Sequence, residues 1–102
     1  MSRSLEQLCQ WYQSQCNRNW EQQYGIKIES LDNPGWFLEI DLAGTRLERR
    51  EFRPIKHKKS SSDWMYCKTE NLRFLGYSDP GKLDSMIDVF LKWQQEQAST
   101  RR

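Results

Sequence analysis

Residues 24–42, YGIKIESLDNPGWFLEIDL, read as a β-hairpin, and the rest of the chain can be placed around them. Ile26 and Ile28 alternate with Lys27 and Glu29, and Trp36, Leu38, Ile40 and Leu42 alternate with Phe37, Glu39 and Asp41. That is the period-two pattern of strands with one buried face. Between them, Asn33-Pro34-Gly35-Trp36 fits a type II turn. Pro34 presets φ at its second position, and Gly35 supplies the positive φ of its third. Directly opposed residues share a face of the sheet. Matching the even-numbered apolar rows therefore requires a loop of odd length, Asn33 to Gly35 or two residues longer.

A chain of 102 residues has room for one core and not for two, so a single domain over 1–102 is expected. Only 36% of residues are apolar, yet 13% are aromatic with five Trp, so a few large side chains must supply most of the buried area. The N-terminal MSRSLEQLCQ is polar, and no apolar run approaches the roughly 20 residues of a membrane helix. The expectation is a soluble, cytoplasmic protein without membrane association. Its three cysteines, Cys9, Cys16 and Cys67, are an odd number and poor material for a disulfide framework. Cys9 and Cys16 would stand about 10 Å apart along a helix, beyond the roughly 7 Å Cα limit for a bridge. All three are expected to be reduced, buried and free of metal, since no CxxC pair or other ligand spacing joins them to His57.

Taken in order, Ser4 can cap a helix whose apolar stripe is Leu5, Leu8, Cys9, Tyr12 and Cys16, with Trp11 at its edge. Asn17-Arg18-Asn19 ends it, and Trp20 anchors the connection to the hairpin. After a turn at Ala43-Gly44-Thr45, the segment Arg46 to Lys59 holds seven Lys or Arg, one His and two acids. Pro54 makes it an irregular or edge strand. Ser60 to Asp63 is a loop, and Asp63 to Thr69 a strand with Met65 and Cys67 on one face and Trp64 and Tyr66 on the other. Glu70-Asn71 turns into a last strand, Leu72 to Tyr77. The closing helix has Asp79 as N-cap, Pro80 at its first position, and Leu83, Met86, Ile87, Phe90 and Trp93 along one face to Gln94. Residues 98–102 are expected to fray. The fold class is α+β: an antiparallel β-meander of about five strands, with the N-terminal and C-terminal helices packed on the face of Ile26, Ile28, Leu38 and Ile40.

Catalysis has little to work with in this chain. It has one histidine and lacks GxSxG, a Gly-rich phosphate loop and HExxH. His57, in Lys56-His57-Lys58-Lys59, has no acid within five residues positioned to orient it, and reads as a solvated surface residue. Neither an enzyme nor a cofactor is expected. If both helices cover one sheet face, the other presents Phe37, Trp64 and Tyr66 among Lys27, Glu29, Glu39, Asp41 and Lys68, an aromatic patch with a charged rim. A basic segment beside sheet aromatics also suits single-stranded RNA or DNA, with Trp36, Phe37, Trp64 and Tyr66 as stacking candidates. The net charge of only +2, with acids interspersed, argues against nucleic acid.

The run WYQSQCNRNWEQQYGIKIESLDNPGWFLEIDLAGT, Trp11 to Thr45, followed by DWMYC and a closing FLKW helix, resembles the Immunity protein 53 family of bacterial polymorphic-toxin systems. The combination of W-E, YGI, LDNPGW and IDLxGT carries the likeness. It implies a small cytoplasmic antidote that binds a cognate toxin domain and blocks it without chemistry. Strand parity adds a place for that contact: Phe37, Trp64 and Tyr66 as anchors, with Glu39 and Asp41 as rim charges. A homodimer through the same patch is the other use such a face could have.

Overall fold

The computed structural model describes residues 3–99, with no account of the side chains of 98 and 99. Residues 100–102, most of the tail expected to fray, lie outside the described residues. In chain order the elements are α1 (Arg3–Gln15), α2 (Trp20–Gln23), β1 (Ile26–Leu31), β2 (Gly35–Asp41), β3 (Ile55–Ser60), β4 (Asp63–Glu70), β5 (Arg73–Ser78) and α3 (Leu83–Ser99). The five strands form one antiparallel sheet in the order β1-β2-β5-β4-β3. The α+β class and its two long helices are as the sequence implies. The strand order is not that of one continuous meander, because β5 rather than β3 lies beside β2. The cause is the connection from Leu42 to Pro54, which carries the chain to the far edge. It is held by buried Leu47, by Phe52 packed 5.3 Å from Phe74 and 5.2 Å from Trp93, and by the Trp93 Nε1–H donating to the Glu51 carbonyl at 2.9 Å. Strand β3 is left at an edge, where Lys56, Lys58 and Lys59 are tolerated.

The hairpin pairs Ile26 with Ile40 and Ile28 with Leu38, even with even. Its loop is one residue earlier than expected, Asp32 to Pro34, with Leu31 opposite Gly35. Gly35 is thus the first residue of β2 and does not take a positive φ, which among the described glycines belongs to Gly44 (φ 78°). What Gly35 supplies is close approach: a Cβ there would lie 2.2 Å from the Ser78 carbonyl oxygen of β5.

One sheet face carries Leu38, Gly76, Cys67 and Ile55 in one cross-strand row and Ile40, Phe74 and Thr69 in the next. Onto it α3 lays Met86, Phe90 and Trp93, and its Ile87 and Leu91 are buried as well, Leu91 beside Trp11 of α1. Phe74 meets Phe90 at 5.3 Å, and truncating either ring would cost about 3–5 kcal/mol. Helix α1 packs chiefly against α3 rather than down onto β1, which rotates its buried line. Leu8 and Trp11 are buried, with Trp11 edge-on to Phe90 at 4.9 Å, whereas Leu5 and Cys9 are exposed. Ser4 lies inside α1 and hydrogen-bonds Asp88 of α3 instead of capping. Nor does Asp79 cap α3: the first intrahelical bond runs from the Met86 N–H to the Lys82 carbonyl (3.0 Å). The Asp79 carboxylate accepts from the Gly81 N–H, the Trp64 N–H and Lys82 Nζ (2.8, 2.8 and 2.6 Å), so it locks a tight turn against β4. Among the described residues no helix is long and apolar enough to cross a membrane.

Candidate interaction face

Side chains alternate along a strand, so whatever points away from the helices forms a second surface. With Met65 and Cys67 turned to the helices, Trp64 and Tyr66 face the other way, and the register lines up their neighbours. Tyr66 lies opposite Tyr77, and Tyr77 opposite Phe37, giving a row of three rings across β4, β5 and β2. The Phe37 and Tyr77 centroids are 5.1 Å apart, and Tyr77 and Tyr66 stack at 6.2 Å with 19° between their planes. All three rings and Trp64 are half-buried. Among the described residues no helix lies over them.

Charge surrounds the row in layers. Lys56 and Lys68 place their Nζ 5.7 and 5.8 Å from the Tyr66 ring centroid, within cation–π range. Lys68 also bonds Glu70 at 2.6 Å, which raises the lysine's pKa and lowers the glutamate's. On the β2 side, Arg73 Nε reaches Glu39 at 3.4 Å and Asp41 at 3.1 Å, and the second Asp41 oxygen accepts from the Gly25 N–H at 2.9 Å. Lys27, Glu29 and Lys58 make no ion pair with the described residues. The rim is therefore part internally satisfied and part available.

Phe37, Glu39, Asp41, Trp64 and Tyr66 all stand on this face. Trp64 is at its corner, beside Asn33, Lys58 and Ser61. Sequence reasoning missed Tyr77, which completes the row. The alternation of Phe74 with Leu75 and Tyr77 contained the signal, but its central place depends on the strand order. Trp36, a stacking candidate in the nucleic-acid reading, points to the helix side, where its Nε1–H donates to the Pro80 carbonyl at 2.9 Å. His57 is not a freely solvated residue. It is half-buried, its Nε2 lying 2.9 Å from Asp63, because the hairpin's irregularity between Lys58 and Ser60 returns an acid from six residues on. Lys82 shares Asp63 at 2.7 Å, and first Lys82, then His57, holds the Asp63 carboxyl below its ordinary range. Of the thiols only Cys67 is buried, its pKa pushed up to about 12 by desolvation; Cys16 is half-buried and Cys9 exposed, against the expectation of three buried thiols. Among the described residues no three His, Cys, Asp or Glu group so as to hold a metal ion.

Compared with known families, residues 5–95 match Immunity protein 53. The chain belongs to that family. No match was found among curated proteins or among solved structures. Membership in an immunity-protein family supports an immunity function and, in general terms, a toxin as partner.

Most of the motif residues that carry the family likeness turn out to hold the fold. Glu21 accepts from the N–H groups of Asn17 and Arg18 (3.0 and 2.9 Å), while Asn17 Oδ1 accepts from those of Asn19 and Trp20. These bonds brace the turn that holds Arg18 at φ 76° just before α2, whose N-cap Asn19 makes no side-chain capping bond. Trp20 then reaches across to the Ala43 carbonyl through Nε1 (2.8 Å) and lies over Gly44, where a Cβ would come within 3.2 Å of its ring. Gly25 is tied to Asp41, so the W-E, YGI and IDLxGT segments together seal one end of the hairpin. The aromatic row lies apart from these contacts.

Proposed function

We propose that the protein neutralises a cognate toxin domain by non-catalytic occlusion, docking its uncovered sheet face over the toxin's working surface. Phe37, Tyr77 and Tyr66 form the central anchor, Trp64 extends it at one corner, and Glu39 and Asp41 with Arg73 form the charged rim. The observation that carries this reading is the aromatic row on the face left open by the helices. Rigid rings with polar surroundings are the composition of binding hot spots, and ordering them costs little because strands already hold them.

The test pairs folding with binding. Trp64→Ala and Tyr66→Ala are expected to fold normally and each to weaken binding of the toxin domain by roughly 2 kcal/mol or more, about 30-fold. Co-expression with the toxin should then no longer protect cells. Normally stable variants that bind and protect like the wild type would remove these residues from the site.

Single-stranded nucleic acid is the second reading, favoured by Lys56 and Lys58 reaching the same face. Against it, both ammonium groups near the Tyr66 ring already occupy a stacking position. Fluorescence anisotropy with labelled RNA and DNA at low salt separates the two. Micromolar, salt-sensitive binding lost on charge reversal at Arg49, Arg50, Arg53 and Lys56 would replace the toxin reading.

A further inference from the structure

The two edges of the sheet are built differently. On β3, Lys56 and Lys58 alternate with Ile55 and His57. An antiparallel copy centred on His57 would set lysine against lysine, a device that keeps edges apart. On β1, Ile26-Lys27-Ile28-Glu29 carries both signs, and among the described residues nothing pairs with its outer side. Beside that edge α1 and β1 leave an apolar groove lined by Leu5, Cys9, Tyr12, Ile26 and Ile28. Leu5 is 49% and Ile28 38% exposed, two of the four exposed large hydrophobic residues among those described.

Register decides what fits there. Only pairings that oppose even with even keep the isoleucines together on the helix side. Centred on Lys27, an antiparallel copy opposes lysine to lysine; centred on Glu29, it opposes glutamate to glutamate. Centred on Ile28, it sets each Lys27 against Glu29 of the other copy, twice over, and Ile28 on Ile28 at the mouth of the groove. We infer that β1 is the seat of a two-fold self-association, in which two copies pair antiparallel about Ile28 and run their sheets together. The contact is isologous, both α1 helices lie on the same side of the joined sheet, and the aromatic face of each copy stays open. Six-residue edges bury little area, so this is a weak dimer, filled at high concentration.

Sedimentation velocity over a concentration series reaching the millimolar range, on the whole chain, tests it. The wild type is expected to shift from monomer to dimer. Lys27→Glu places like charges at both contacts and should weaken association by about tenfold or more, while the swap K27E/E29K should restore it. Circular dichroism melts check that these surface variants fold. Tyr66→Ser, on the aromatic face, should dimerise as the wild type does, which separates this inference from the toxin reading. A wild type that stays monomeric throughout overturns the inference. So does association that Lys27→Glu leaves unchanged, or a swap that restores nothing.

Discussion

Replacing Gly35 by alanine tests how the hairpin is joined to the rest of the sheet. The new methyl would sit 2.2 Å from the Ser78 oxygen and 3.3 Å from its carbonyl carbon, where ordinary contact begins at 3.4 Å. More than an ångström must be found, and the opposing atom is backbone of β5, itself registered against Met65 of β4, so it cannot turn aside. Overpacking costs typically about 1–3 kcal/mol, and a rigid neighbour places this site at the upper end. Against that stands about 0.4–1 kcal/mol from the reduced freedom of the unfolded chain. The expected net loss is about 2–3 kcal/mol, or roughly 10–20 °C in Tm. Gly76→Ala is the internal comparison: its methyl meets Met86 Sδ at 2.8 Å, and a flexible thioether can retreat, so about 1 kcal/mol is expected. Urea unfolding followed by tryptophan fluorescence, with an unchanged m-value, gives both numbers. Asparagine provides the refutation. If Gly35 supplied a positive φ, Gly35→Asn would be tolerated better than Gly35→Ala; close approach requires Asn to cost at least as much. An alanine variant within about 0.5 kcal/mol of wild type, or an asparagine variant clearly milder than alanine, would refute the reasoning.

Three further outcomes are expected. The β4–β5 turn holds both Asn71 (φ 56°) and Leu72 (φ 61°) in the left-handed region, and Leu72 is 45% exposed, so Leu72→Gly should raise stability by about 1 kcal/mol in the same urea assay. The Asp79 carboxyl is held down to about 2, first by Lys82 and then by the Trp64 N–H. A depressed carboxylate contributes stability above its unfolded pKa, about 4, and loses it as pH falls through its folded one. The gap between wild type and Asp79→Asn should therefore narrow as the pH is lowered from about 5 to about 2, and a constant gap would contradict it. With Cys67 buried and its pKa pushed up to about 12, a thiol reagent should label Cys9 first in the native protein and Cys67 only on unfolding. All three thiols should titrate in denaturant, and fewer than three would show a bridge or a ligand.

What could be read from the chain was whatever repeats at short range. The alternation in Ile26–Ile28 and Trp36–Leu42 fixes the hairpin's faces, and the same alternation in Trp64–Cys67 puts Trp64 and Tyr66 opposite the helices, as found. The apolar spacing of Leu83 to Trp93 locates α3. Features set by distant partners were illegible. Gly35 looks like a turn glycine because Pro34 precedes it, but its requirement comes from Ser78, far along the chain. Trp11 sits at the margin of α1's apolar stripe and is buried because α1 leans on Phe90. Tyr77's centrality follows from β5 lying next to β2, which no local pattern states. The Asp63–His57 pair needed the irregular hairpin that closes it.

Strand β5 is the last to be made and the one in the middle. Until Arg73 to Ser78 have left the ribosome, the chain is two hairpin pieces, β1-β2 and β3-β4, with bare inner edges and nothing to join them. The helix that shields the inner face comes later still. Such a sheet closes only through contacts between residues far apart in sequence, which makes folding slow and leaves nascent edges open to wrong partners. A chain cut short just before Arg73 would lose both the bridge between its hairpins and the central tyrosine of its aromatic row, so the aromatic face is complete only once β5 is in place.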